Sequence, residues 1–283
     1  MAAFQILSDL HNELFHAHRR TPPDIPATSA DAIILAGDID TGVRGIQWAG
    51  EQSQRLGKPV IYVAGNHEYY GHDYMRMLDM QRAMAESRGV LFLERDGVTV
   101  AGCRILGCTF WTDYRADRLT PFDVAMAYCQ MQIADHRAIQ WMEGGAHRAF
   151  RPLDALRLHQ ASRAWLEARL GAGDSAAPVI VVTHHGPSAL CQHPDFPIGP
   201  LSGAFHSNLD DLVLQADLWV YGHTHASLDG VMQGDGQIEG TGRRTTRLVS
   251  NQRGYPGEGV DYDAAKVVII ETGSSREIRC RSA

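Results

Sequence analysis

Phe4-Gln5-Ile6-Leu7-Ser8-Asp9-Leu10-His11 is an apolar run that stops abruptly at polar side chains, and Ala32-Ile33-Ile34-Leu35-Ala36-Gly37-Asp38 repeats the pattern. Short apolar runs with such ends read as parallel strands buried on both faces. Working outward, apolar residues recur at helical intervals over residues 43–56, Gly57 ends the pattern and Pro59 precedes the next run, 60–64. That run closes on Gly65-Asn66-His67-Glu68. The spacing predicts a second helix over residues 73–87 and short strands at 90–93, 98–101 and 104–110. The alternation through the first half is β-α-β.

Residues 113–170 read mostly as helix, with a break near Gly144-Gly145 and Pro152. The stretch is long enough for a helical insertion over one sheet edge, a candidate cap. Val179–Thr183 closes on His184-His185-Gly186-Pro187, and Leu218–Tyr221 closes on Gly222-His223-Thr224-His225. From Ser227 onward short antiparallel strands are expected, the clearest at 246–249, 266–271 and 277–281. The expected fold is therefore α/β, one domain over residues 1–283 with the insertion at roughly 113–170.

Bulk composition narrows the function classes. Hydrophobic residues at 44% and charged residues at 21% sit near the globular average and exclude disorder or a fibrous repeat. A formal net charge of −7 argues against strong nucleic-acid binding by backbone neutralisation. A metal site can still recruit phosphate inside an acidic protein. The cysteines Cys103, Cys108, Cys129, Cys191 and Cys280 are scattered, odd in number and without a CxxC pair, which fits reduced packing thiols. Residues 1–10 lack the pattern of a signal peptide, since Asp9 and His11 interrupt the apolar run, and no segment approaches the length of a membrane span. A cytoplasmic location is the default expectation, and oligomeric state is left open.

Metal-capable side chains stand at the ends of separate runs: Asp9 and His11, then Asp38, then Asn66 and His67, then His184 and His185, then His223 and His225. The carboxyl ends of strands in open α/β sheets converge on one crevice, so groups far apart in sequence can meet there. All of these side chains offer oxygen or imidazole nitrogen and none offers sulfur, which favours divalent manganese, iron, zinc or cobalt over a thiolate zinc site. Asp9 and His11 are two residues apart at a strand exit, as are His223 and His225, and would share a side while strand geometry persists. Two such pairs and a bridging carboxylate, for which Asp38 is the candidate, can serve two cations about 3.5 to 4 Å apart.

In this order the motifs Asp9-Leu10-His11, Gly37-Asp38, Gly65-Asn66-His67-Glu68, His184-His185 and Gly222-His223-Thr224-His225 resemble those of the calcineurin-like metallophosphoesterases. The resemblance runs from Asp9 to His225, most of the chain. It implies a β-sandwich of two mixed sheets flanked by helices. It implies that Asp9, His11 and His225 hold one metal, that Asn66, His184 and His223 hold the other, and that Asp38 bridges. His184 is preferred because it directly follows Thr183, with His185 the alternative. His67 resembles the family's acid, which protonates the leaving oxygen. In the protein-phosphatase branch, an Asp three residues after the bridging Asp orients that acid and is followed by Arg. Here Thr41 occupies that position and Asp40 precedes it, which leaves the orienting role of Asp40 open.

A water acidified between two cations supplies hydroxide without a strong protein base, and the ions offset charge on the phosphate oxygens. With Asp38 and His67 as the catalytic residues, the expected activity is hydrolysis of a phosphate mono- or diester, most readily a small-molecule or nucleotide phosphodiester. The alternatives are a protein serine/threonine phosphatase, or a metal-binding scaffold without turnover. His16, His18, His72, His147, His159, His193 and His206 are read as ordinary core or surface residues, Trp111 as packing and Glu68 as structural. Tyr114, Arg115, His136, Arg137 and the 251–255 loop are weaker candidates for the pocket wall.

Overall fold

The structure, a computed structural model, describes residues 1–171, 177–234 and 245–272. The first half contains β1 (Ala2–Leu7), α1 (Glu13–Ala17), β2 (Ala32–Ala36), α2 (Arg44–Leu56), β3 (Val60–Val63), α3 (Tyr74–Arg88), β4 (Leu91–Phe92), β5 (Asp96–Val100) and β6 (Cys103–Cys108). Then come α4 (Phe122–Gln132), α5 (Asp135–Ala138), β7 (Gln140–Glu143), β8 (Ala146–Ala149) and α6 (Pro152–Gly171). The remainder holds β9 (Val179–Thr183), α7 (Asp210–Val213), β10 (Leu218–Tyr221), β11 (Leu228–Gln233), β12 (Thr245–Ser250) and β13 (Val267–Ile270). The strand expected at 277–281, with Cys280, lies outside the described residues.

Two mixed sheets flanked by helices make the α/β sandwich that the sequence implies. The first sheet has the order β13-β1-β2-β3-β4, parallel except for β13. The second runs β11-β12-β10-β9-β6-β5, parallel at its centre with antiparallel strands at both edges. Phe4, Ile6, Ile34 and Val63 of the first sheet meet Ile105, Ile180, Val182 and Val220 of the second in one buried cluster. On the outer side of the first sheet, Ile33, Leu35 and Tyr62 pack with Ile46 and Ala49 of α2 and Ala85 of α3. On that of the second, Leu106, Val181 and Trp219 pack with Leu166 of α6 and Leu212 of α7. The central strands therefore have no wet face, which is why they read as unbroken apolar runs. Each fully buried Val, Leu or Ile side chain contributes about 1.5 to 3 kcal/mol.

Helix boundaries follow local chemistry. Gly57 caps α2 at φ 65°, a left-handed turn that a side chain would resist, and the Asp73 carboxylate accepts the Arg76 N–H at the start of α3. Two expectations need correction. Within the stretch read as mostly helix, residues 140–149 form the β7–β8 hairpin, which turns at Gly144 and Gly145. The late strands are not all antiparallel, for β12 runs parallel to β10 and extends the central sheet. No helix among the described residues is long and apolar enough to cross a membrane.

Candidate metal centre

Because β1, β2 and β3 are parallel, as are β9 and β10, the chain leaves each sheet at the same end five times. Neighbouring exits are joined within each sheet. Asp9 N donates to Gly37 O, His11 N to Asp38 O and Gly222 N to His184 O, at 2.9 to 3.0 Å. The two-residue spacings of Asp9 with His11 and His223 with His225 do not act through strand alternation, since β1 ends at Leu7 and β10 at Tyr221. Asp9, His11, Asp38, His223 and His225 instead all have positive φ, between 44° and 72°. Each such non-glycine residue costs about 1 to 2 kcal/mol, and strain of this kind concentrates where function needs it. Glycines make the approach possible. A Cβ at Gly37 would run into His184 Nδ1, one at Gly65 into Asp38 Oδ1, and one at Gly222 would stand 2.6 Å from Asp9 Oδ2.

The side chains form two adjoining groups. In the first, His11 Nε2 is 3.1 Å from His225 Nε2, and His225 Nε2 is 3.6 Å from Asp9 Oδ1. In the second, His184 Nε2 lies 3.0 Å from Asn66 Oδ1, 3.2 Å from His223 Nδ1 and 3.4 Å from Asp38 Oδ1. Asp38 spans both, because its Oδ2 is 4.0 Å from His11 Nε2 and 3.8 Å from His67 Nε2. Asp9, His11 and His225 could hold one ion, and Asp38, His184 and His223 could hold another. His184 is the histidine turned into the crevice. His185 is buried beside it, its Nδ1 donating to Thr109 O at 3.1 Å and its ring against His223.

These residues fit cations, on the evidence of their outward hydrogen bonds. His184 Nδ1 donates to Ala36 O at 2.9 Å, His11 Nδ1 to Glu13 at 3.0 Å and His225 Nδ1 to Glu258 at 2.6 Å. The Asn66 amide donates to Asp135 and Tyr70, which turns its oxygen inward. With the outer atom occupied as a donor, each inner atom presents a lone pair, the arrangement that orients metal ligands. Asp9 Oδ2 is buried with no hydrogen-bond partner among the described residues. Lone pairs converging without donors are stabilised by positive charge.

Proton affinities point the same way. Burial opposes charge on Asp38, yet His184 and His67 hold its carboxyl well below the usual range. Burial lowers His184, but Asp38 and Asp9 outweigh it and raise it to about 10. For His67 burial is likewise overcome by Asp38 and Glu13, giving about 9. The carboxylates of Asp38 and Asp9 thus favour positive charge in the crevice, and ligation at His184 would require its Nε2 without a proton.

Several residues that shape the site escaped the sequence reading. Glu13 is one of them: its Oε1 takes hydrogen bonds from His11 and His67, which drive its carboxyl down to about 2 against the effect of burial. Asp40 does not orient His67, for it pairs with His16 and Arg44, both at 3.0 Å. Of the 251–255 loop, expected as a pocket wall, Tyr255 lines the cleft with its O–H 3.0 Å from His67 Nε2; Asp135, Glu258 and His193 line it too. For Glu13 a signal existed, since it follows His11 by the same two-residue step. His193 lines the cleft with its Nδ1 accepting from Asp195 N at 3.1 Å. His136 is buried against Phe150, Arg137 donates to Met131 O, Arg115 covers the Phe122 ring and Trp111 sits in an aromatic cluster, so none of these forms the wall of the metal cleft. Tyr114 likewise belongs to the aromatic cluster.

The sequence profile of a family described as calcineurin-like phosphoesterase matches residues 4–227. An uncharacterised protein of Acanthamoeba polyphaga mimivirus is 22% identical over 226 residues, covering 75% of this chain and 74% of that protein. Among solved structures, phosphopantetheinyl hydrolase from Mycobacterium tuberculosis shares the fold, with a TM-score of 0.64, 21% identity and 90% of each chain covered.

Proposed function

Because the chain belongs to the calcineurin-like phosphoesterase family, we propose that it hydrolyses a phosphate ester of a small molecule or nucleotide with two divalent cations held in the crevice. Asp9, His11 and His225 hold one cation, Asn66, His184 and His223 hold the other, and Asp38 bridges them. The observation that carries this reading is the position of Asp38, whose two oxygens face the two groups of ligands separately. Manganese, iron, zinc and cobalt all suit a donor set of imidazole, carboxylate and amide oxygen. When bound, such ions neutralise phosphate oxygens and acidify water.

The chain's own residues do the rest. His67 carries a proton on Nε2 beside the crevice while Glu13 holds Nδ1, so the ring is set to protonate the departing alcohol. Tyr255 meets the same Nε2 and shields it from bulk water until a substrate displaces the contact. Neither a serine nor a cysteine nucleophile is needed. The pairing of Asp40 with His16 and Arg44 weighs against a protein serine/threonine phosphatase of the kind whose acid is held by that aspartate.

The test is p-nitrophenolate release from mono- and bis-(p-nitrophenyl) phosphate after loading with each metal, followed by chelation and reconstitution. Activity that chelation removes and metal restores is expected. Absence of turnover with every metal would leave a metal-binding scaffold. His67→Ala should slow esters of poor leaving groups by about 100-fold or more and activated aryl esters far less. Equal losses on both would remove His67 from the acid role.

A further inference from the structure

Beside the metal crevice, a second cavity of about 400 Å³ is walled by Tyr128, Phe196, Pro197, Pro200, Leu201 and Phe205. It adjoins the metal cleft of about 430 Å³, for His193, Phe196, Phe205 and Thr224 line both. The Phe205 ring forms the junction, stacked on His223 with centroids 5.1 Å apart. The volume falls within the range of small-molecule sites.

Gln192, Ser202, Thr224 and one ring nitrogen of His193, polar groups around this cavity, are already engaged. Gln192 Oε1 meets His206 Nε2 at 2.9 Å, and its amide donates to Phe196 O at 3.0 Å. Ser202 Oγ accepts from Gly199 N at 3.1 Å, Thr224 Oγ1 from Gln252 at 3.0 Å and His193 Nδ1 from Asp195 N at 3.1 Å. A group seated here is recognised by lost apolar surface rather than by a pattern of donors and acceptors. Among the described residues, no lysine or arginine lines either cavity, whereas Asp135, Asp195 and Glu258 line the metal cleft. A second phosphate would meet no forked donor and several carboxylates. Phe196 and Tyr128 stand at the mouth 64% and 42% exposed, apolar surface that a ligand would cover.

His67 and Tyr255 line the metal cleft and not the apolar cavity. The alcohol that departs beside His67 and the group that enters the cavity are thus different substituents on phosphorus. We infer that the substrate is a phosphodiester bearing a single negative charge, whose retained alcohol carries an uncharged apolar group that seats between Phe205, Phe196 and Tyr128. This rests on the phosphoesterase reading and adds to it a diester, with one apolar arm and no further phosphate.

A panel of p-nitrophenyl diesters separates the two claims, because the leaving group is constant while the retained alcohol is methanol, phenol or choline (the last being the phosphocholine ester). With the manganese-loaded protein, kcat/KM for the phenyl ester should exceed that for the methyl ester by about tenfold or more, the order expected for burying a ring. Phe196→Ala and Tyr128→Ala should each lower the phenyl-to-methyl ratio through KM. Calorimetry should show diphenyl phosphate binding more tightly than dimethyl phosphate, with the difference reduced in both variants. Turnover of all esters with equal efficiency, or preference for the phosphocholine ester, overturns this inference and leaves the phosphoesterase reading intact. No release from any ester with manganese, iron, zinc or cobalt overturns both.

Discussion

Glu13 Oε1 lies 2.9 Å from His67 Nδ1, and the same oxygen is 3.0 Å from His11 Nδ1. One carboxylate thereby sets the tautomer of a proposed metal ligand and of the proposed acid. An ionised carboxylate only accepts, so both rings carry hydrogen on Nδ1 and direct Nε2 into the crevice.

Glu13→Gln keeps the shape and removes the charge. Loss of a partner of this kind typically lowers metal affinity or activity by about 10- to 100-fold. Glu13 helps to raise His67, and an acid works only while protonated, so activity falls as pH rises through the His67 pKa. The variant should therefore lose activity at a lower pH than the wild type. A pH profile with an unmoved basic limb and an unchanged kcat would show that Glu13 does not position His67.

Asp38→Asn addresses the shared ligand. The amide lacks the negative charge that the two proposed cations would share, and its nitrogen cannot coordinate as a carboxylate oxygen does. Elemental analysis after equilibration with manganese should show at least one ion fewer than the two proposed for the wild type. Full retention of both would refute the bridging role.

How much of this could be read from the chain depends on what each residue touches. β9 and β10 are bounded in the structure as in the sequence because both faces are buried, and an apolar run then has sharp ends. The β7–β8 hairpin was hidden because its strands are mostly exposed and show no clean alternation. The parallel pairing of β12 was equally hidden, since side-chain periodicity does not encode which strand lies alongside. In the site, the strand-end motifs were legible because parallel strands deliver them to one edge. Asp135 and Glu258 were not, for each reaches its partner across 33 to 69 residues of chain, with no local motif.

Glu68 holds the loops that carry Asp38 and Asn66. Its two buried oxygens accept from Asp38 N, Ile39 N, Gly65 N and the Tyr62 hydroxyl at 2.7 to 3.1 Å. Glu68→Ala leaves all of these donors without the carboxylate, and each buried unsatisfied group costs about 1 to 3 kcal/mol. A loss of stability on the order of 3 kcal/mol or more in denaturant unfolding is expected. A loss below about 1 kcal/mol would show that the loops find other acceptors.

His159 provides a test remote from the metal crevice. It is 1% exposed, and its Nδ1 donates to Phe110 O at 3.1 Å, with Trp111 O at 3.3 Å. Burial lowers its pKa below the ordinary value. The unfolded chain then binds a proton near pH 6.5, about the usual histidine pKa, while the folded chain stays neutral to lower pH. The stability due to the neutral ring is fully present above that value and is lost as pH falls towards the folded pKa. His159→Asn retains an N–H donor but cannot titrate, so its melting temperature should gain on that of the wild type as the pH is lowered from 7.5 to 5. A constant gap across that interval would mean that the folded core accommodates the charged ring.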